Sequence, residues 1–238
     1  MKYINEKYYE KLLVIEHYKK HPQMRPFIGK SWGRTGKMLV IGESHYLNDY
    51  DEKTSRRGNK ITWKNWYKMN KEELTQDQER WTSTALQINE AITKNKYEPA
   101  WGIWKNVKDA ILETGYNPYP KNTSKILCYI AFMNFFQRPA LDSGESIIYS
   151  NEDIKIANET LYNVANIIKA DYLFFVSSKA WENYENELLT EIIVGHSCHP
   201  NCKWWNMETK KYTKSNRKKR ITGKESFKYF VKKNGIYE

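Results

Sequence analysis

"MLVIGESHY", residues 38–46, is the stretch that decides the fold. Four apolar residues run without interruption into Gly42. An acid, a hydroxyl, an imidazole and a phenol then follow at Glu43, Ser44, His45 and Tyr46. A strand that is apolar at every position, rather than at alternate ones, is buried on both faces, as in the middle of a parallel sheet. In open α/β sheets ligands bind outside the carboxyl ends of the strands, so the polar quartet marks the edge where a site is expected.

Outward from this strand, three more short apolar runs have strand character, at 126–132, 172–176 and 192–194. Helical spacing of apolar residues covers 6–20, 76–95, 102–114, 151–169, 180–190 and 224–233. Gly115 and Gly235 stand just past two of these, where a left-handed C-terminal cap is expected. Strands alternating with helices predict a three-layer α/β/α sandwich around a central, mainly parallel four-stranded sheet. A single domain over 1–238 is expected, with an N-terminal helix (about 5–20), an aromatic-rich insertion (about 47–100) and a basic C-terminal segment (about 203–238).

The polar residues gather where the strands end. The second run leads into "MNFFQRPA" (133–140), which puts Asn134 near a strand tip. The third leads into "SSKAW" (177–181) and the fourth into "GHSCHPNCKWWN" (195–206). Reactive residue types therefore collect at all four carboxyl ends.

Composition narrows the partners. Hydrophobic residues make up 40% of the chain, enough for a sizeable core, and mean hydropathy is -0.83. No apolar run reaches the 18 or so residues needed to cross a bilayer, and the start of the chain reads as an amphipathic helix rather than a signal peptide. Three cysteines, an odd and small number, fit a reducing cytoplasm. Lys and Arg total 39 against 28 acids, a net charge of +11, and residues 203–238 alone hold 12 basic and 3 acidic residues. A basic end rich in aromatics points to a polyanion, most simply nucleic acid; a solvated tail without a specific partner is the plain alternative.

Three chemistries fit poorly. "GKSWGRTGK" (29–37) resembles a phosphate loop, but Met24 stands where the first glycine belongs and the stretch precedes its strand. "HSCHPNC" (196–202) offers His196, Cys198, His199 and Cys202, all within seven residues and with no second cluster to complete a zinc site, so no metal is expected. A Ser44–His199 hydrolase would lack the second glycine of the nucleophile elbow and an evident acid partner.

The strand ends taken together resemble the uracil-DNA glycosylase superfamily. Its first motif, of the GQDPY or GEAPG type, is matched in position by "GESHY"; its Asn after a middle strand by "FMNFFQRP"; and its final HPS by "CHPN", in order from residue 38 to 205. The resemblance implies a monofunctional DNA glycosylase that hydrolyses the N-glycosidic bond of uracil or a modified base flipped out of DNA. An abasic site would be left, in repair or in defence against foreign modified DNA. By position, Asn134 reads the base edge, His199 stabilises charge on the leaving base, and Tyr46 walls the pocket. Backbone N–H groups after Gly42 hold phosphate or water. Ser44 occupies the place of the water-positioning Asp of the best-known branch, so Glu43 or Ser44 places the water. His45 replaces a usual Pro.

The family loop that enters DNA follows the His. Its wedge position falls at Lys203, beside Trp204 and Trp205; an indole there can stack on bases, or both can pack under the C-terminal helix. Lys210, Lys211, Arg217, Lys218, Lys219 and Arg220 suit phosphate contacts on single- or double-stranded DNA. Tyr50, Trp63 and Trp66 are candidates to stack on the flipped base. The resemblance implies no cofactor, since the iron–sulfur branches need four cysteines, and a monomer is expected. A nucleic-acid-binding protein of the same fold without catalysis is the main alternative.

Overall fold

The computed structural model of the protein describes residues 1–47, 65–98, 101–140, 146–213 and 220–238. In chain order these form α1 (Tyr9–Leu12), α2 (Glu16–Lys20), β1 (Phe27–Ile28), β2 (Met38–Gly42), α3 (Gln76–Trp81), α4 (Thr84–Lys94) and α5 (Gly102–Leu112). Then come β3 (Ala131–Asn134), α6 (Asn151–Ile168), β4 (Tyr172–Phe175), α7 (Ser178–Glu182), β5 (Ile193–His196), β6 (Thr209–Thr213), β7 (Arg220–Ile221) and α8 (Gly223–Lys233).

The fold is mixed α/β. Its main sheet has five strands in the order β1-β3-β2-β4-β5, not the expected four. The fifth is β1, only two residues long and antiparallel to β3, too short to leave a pattern in the sequence. The other four run parallel, with β2 buried at every position between β3 and β4.

Alternation of side chains along these strands divides the core in two. Val40, Phe132 and Phe174 face one way and pack with Ile88 and Ile92 of α4, Val107 and Ile111 of α5, and Phe227 and Val231 of α8. Leu39, Ile41, Met133 and Phe175 face the other way and pack with Leu161, Val164 and Ile168 of α6, Ala180 of α7, and Leu12. Helices therefore cover both faces, as continuous apolar strands require. Among the described residues no helix is long and apolar enough to cross a membrane.

Helix ends depart from the apolar periodicity where side chains compete for the backbone. The N-terminal stretch is a 3₁₀ turn at Glu6–Tyr8 followed by α1 and α2, with Ile15 extended between the two helices. The expected helix over 76–95 breaks at Thr82, whose Oγ1 donates to the Gln78 carbonyl (2.8 Å), and Ser83 caps α4. The expected helix over 180–190 ends at Glu182 because Asn158 bridges the chain beyond it. Its Nδ2 donates to the Asn183 carbonyl (3.0 Å) and its Oδ1 accepts from the Glu185 N–H (2.9 Å). Thr123–Tyr129 is a 3₁₀ helix, so β3 begins only at Ala131. Gly115 and Gly235 do adopt left-handed φ, at 102° and 57°.

Candidate functional site

At the carboxyl edge of the sheet the chain continues to pair beyond its strands. Phe135 N–H donates to the Gly42 carbonyl (3.1 Å), Phe136 N–H to that of Glu43 (2.9 Å) and Ala140 N–H to that of His45 (2.8 Å). The segments 42–46 and 134–140 are thus laced together, which fixes where their side chains point. β3 and β4 lie on opposite sides of β2, so the order of strands switches direction at this edge, the position at which α/β sheets open a crevice.

A cavity of about 490 Å³ lies at this edge. Glu43, Ser44, His45 and Tyr46 from the end of β2, Asn134 from the end of β3 and His199 beyond β5 all line it. Residues far apart in the sequence therefore meet around one space. Gly42 lies beneath: Asn134 pairs with it in register, and a Cβ on Gly42 would stand 2.5 Å from Asn134 Oδ1 and 3.0 Å from Phe132 Cζ. Glycine leaves the Asn134 amide its place here through close approach rather than turn geometry, since a methyl would push that amide aside.

Each side chain is held differently. Glu43 Oε2 accepts from Ser177 Oγ (3.0 Å), while Oε1 accepts from Ser146 Oγ and from the Ile147 N–H (3.3 Å). Its carboxylate is thereby fixed between the ends of β2 and β4. His45 is buried, with Nε2 3.2 Å from Thr84 Oγ1. Burial pulls its pKa down to about 4, against a smaller upward effect from its hydrogen bond to the Trp81 backbone, so the ring is neutral at pH 7. Tyr46 is pushed above its ordinary value by burial and then by the charge of Glu43. Ser44 Oγ is buried and without a hydrogen-bond partner.

His199 has a defined tautomer. Its Nδ1 accepts the Asn201 backbone N–H (3.2 Å), so the neutral ring carries its proton on Nε2. Burial lowers its pKa; the negative charge of Glu43 opposes this to a smaller extent, and the net lowering leaves the imidazole neutral near pH 7. The loop carrying it rests on α5: Asn106 Nδ2 donates to the Pro200 carbonyl (2.9 Å), and Gly102 leaves room for the Asn201 amide, which a Cβ would meet at 2.6 Å.

Several wall residues escaped the sequence reading: Trp81, Gln87, Ile103, Trp104, Phe132 and Asn201 also line the cavity, as does Cys202, considered from the sequence only as a metal ligand. Gln87 Nε2 donates to the carbonyls of Arg80 and Trp81 (3.1 and 2.7 Å), pinning the corner that presents the Trp81 indole, itself 39% exposed. Trp66 does not reach the cavity. It is fully buried, stacked on His21 (4.4 Å between centroids) and donating from Nε1 to the Gln137 carbonyl (2.8 Å). Tyr50 and Trp63 lie outside the described residues.

The two tryptophans after His199 part company. Trp205 is fully buried against Phe227 of α8, whereas Trp204 is 41% exposed, with Lys203 Nζ 4.7 Å from its ring centre. Beyond them, among the described residues, β6 and β7 pair antiparallel, with Lys210 and Lys211 on β6 and Arg220 on β7. Arg217, Lys218 and Lys219 lie outside the described residues.

The "HSCHPNC" residues diverge. His196 stacks on Trp181 (4.4 Å), Cys198 lies against Gly223, and Cys202 and His199 face the cavity. Among the described residues no group of three or more His, Cys, Asp or Glu is placed to hold a metal ion. Neither models of protein families nor curated proteins match the chain.

Proposed function

We propose that the protein is a DNA glycosylase of the uracil-DNA glycosylase type, hydrolysing the bond between deoxyribose C1′ and a base lodged in the cavity. The observation that carries this reading is the meeting of Asn134, His199, Tyr46, Ser44 and Glu43 around one space. Its second support is the tautomer of His199. As the C1′–N bond breaks, its electron pair passes to the base, and negative charge grows on a base oxygen. A half-buried, neutral imidazole presenting Nε2–H is a fixed donor for that charge. Asn134 offers both a donor and an acceptor to the base edge. Water adds to C1′ and its proton passes to the departing base, which had taken the bonding electron pair, leaving an abasic sugar and the free neutral base. Ser44 or the anchored Glu43 carboxylate orients that water.

DNA fits the charge of +11 and the exposed Trp204 with Lys203 over its ring, a pair suited to stacking and phosphate contact. The Ser/His hydrolase reading has less support, because Ser44 Oγ makes no hydrogen bond and so has no base to activate it. The test is mass-spectrometric detection of released base. Oligonucleotides carrying uracil, hypoxanthine, hydroxymethylcytosine or its glucosylated form would be incubated with the protein, single- and double-stranded. Release of one base supports the proposal; DNA binding with no base released leaves a binding protein of the same fold.

A further inference from the structure

Three donors converge on the Glu43 carboxylate, and none belongs to the segment 42–46 that carries it. Ser177 Oγ donates to Oε2 (3.0 Å), while Ser146 Oγ and the Ile147 N–H (3.3 Å) donate to Oε1. Ser177 stands between β4 and α7 and is 1% exposed. Its Oγ also accepts the Ala180 N–H (3.2 Å), capping α7, so its hydroxyl proton is left for Glu43. Ser146 and Ile147 come from the segment before α6, whose backbone is pinned in turn. Lys179 Nζ donates to the Ile147 carbonyl (2.8 Å), and Arg138, paired with Asp153, donates to the Ile148 carbonyl (2.6 Å).

An ionised carboxylate has about four acceptor positions. Among the described residues these donors fill three of them, which fixes the group and leaves capacity for another donor. Glu43 is only half-buried where it lines the cavity, whereas Ser44 Oγ is closed off by the protein around it. The negative charge of Glu43 acts on both His199 and Tyr46, favouring the protonated form of each, so it lies beside the groups that would bracket a bound base. An apolar side chain of similar size would close the strand end without any of these donors. The clamp suits a charge that must keep one orientation while something binds to it.

We propose that Ser177 and Ser146 are positioning residues for the reaction: they fix the Glu43 carboxylate so that its remaining acceptor position takes an O–H of the water that adds to C1′. This rests on the glycosylase reading. The C1′–O bond forms as the C1′–N bond breaks, and the water's proton passes to the departing base. Glu43 rather than Ser44 then aligns the water.

The test is the steady-state kinetics of base release from whichever oligonucleotide the parent acts on, among those carrying uracil, hypoxanthine, hydroxymethylcytosine or its glucosylated form. Ser177→Ala should lower kcat by about tenfold or more and leave KM within about twofold. Ser177→Thr keeps the hydroxyl and should restore kcat to within about threefold of the parent. Ser146→Ala removes a donor on an exposed segment that caps no helix, so it should lower kcat by about threefold to tenfold with an unchanged melting temperature. Neither alanine variant should reduce activity further in a Glu43→Ala protein, where the group they position is gone. Equal losses in the parent and Glu43→Ala backgrounds would overturn the proposal. So would a fall in kcat no larger than the fall in folded fraction, an unchanged kcat in both serine variants, or a Glu43→Ala protein as active as the parent. Failure of the parent to release any base while it binds DNA would overturn the glycosylase reading itself, and this role with it.

Discussion

Asn106 Nδ2, on α5, lies 3.2 Å from Asn201 Oδ1 and also donates to the Pro200 carbonyl at 2.9 Å. The backbone N–H of the same Asn201 donates to His199 Nδ1. A helix on one face of the sheet thus holds the loop that sets the tautomer and position of His199. Replacing Asn106 by Ala should lower kcat by about tenfold to a hundredfold, since misplacement of a reacting group by about 1 Å can cost that much. KM should change little. Steady-state kinetics beside a thermal melt check it: equal losses in kcat and in folded fraction would mean a purely structural role.

Gly42 supports Asn134 by having no side chain. Gly42→Ala places a methyl 2.5 Å from Asn134 Oδ1, so the amide must turn away from the position it holds in the cavity wall. A stability loss of about 1–3 kcal/mol is expected from overpacking. Base release should fall as far as in Asn134→Ala, and adding Gly42→Ala to Asn134→Ala should cost little further activity. Additive losses in the double variant would show that Gly42 acts elsewhere.

Acid should destabilise the fold through its histidines. His45 has a folded pKa of about 4 against an ordinary 6.5, with burial the main cause. Between these values the unfolded chain binds a proton that the folded chain does not, so stability rises with pH across that window. It is lost as pH falls from 6.5 toward 4, and His45 adds no further loss below that. The full effect of this one group is about 3 kcal/mol. Burial also lowers the pKa of His17, His21 and His199, which adds in the same direction. Denaturant unfolding from pH 7 to 4 should show the decline, with a shallower slope in His45→Gln. A parallel slope in that variant would remove His45 from the account.

Trp204 and Trp205 are adjacent in sequence and opposite in role. Trp205→Ala should cost about 3–5 kcal/mol, as expected for a large buried aromatic. Trp204→Ala should change stability by no more than about 0.5 kcal/mol. It should weaken single-stranded DNA binding by about 1–3 kcal/mol. Fluorescence anisotropy with a labelled oligonucleotide distinguishes the two, and unchanged affinity in Trp204→Ala would exclude stacking at that position.

The parts that could be read in the sequence share a physical cause. The run ending at Gly42 is apolar at every position because β2 lies buried between two parallel neighbours, so its end could be located without coordinates. Asn134 and His199 stood out for the same reason, each following an apolar strand. What stayed hidden depends on packing in space. β1 is two residues long and carries no period. Asn106 sits on α5, where its spacing is that of any amphipathic helix, and only the approach of the His199 loop gives it a role. Nothing in "KWW" distinguishes the buried indole from the exposed one. The breaks at Thr82 and after Glu182 come from side chains bonding to the backbone, which apolar periodicity does not register.

The central claim is that the space between the ends of β2, β3 and β5 removes a base from DNA. Alkali-induced strand cleavage at a single modified position tests it most directly, with the parent protein beside His199→Ala and Asn134→Ala. The account predicts cleavage at one modified base by the parent, and a loss of at least a hundredfold in each variant with both still folded and still binding DNA. Cleavage undiminished in both variants, or no alkali-labile site on any strand while DNA remains bound, would contradict it.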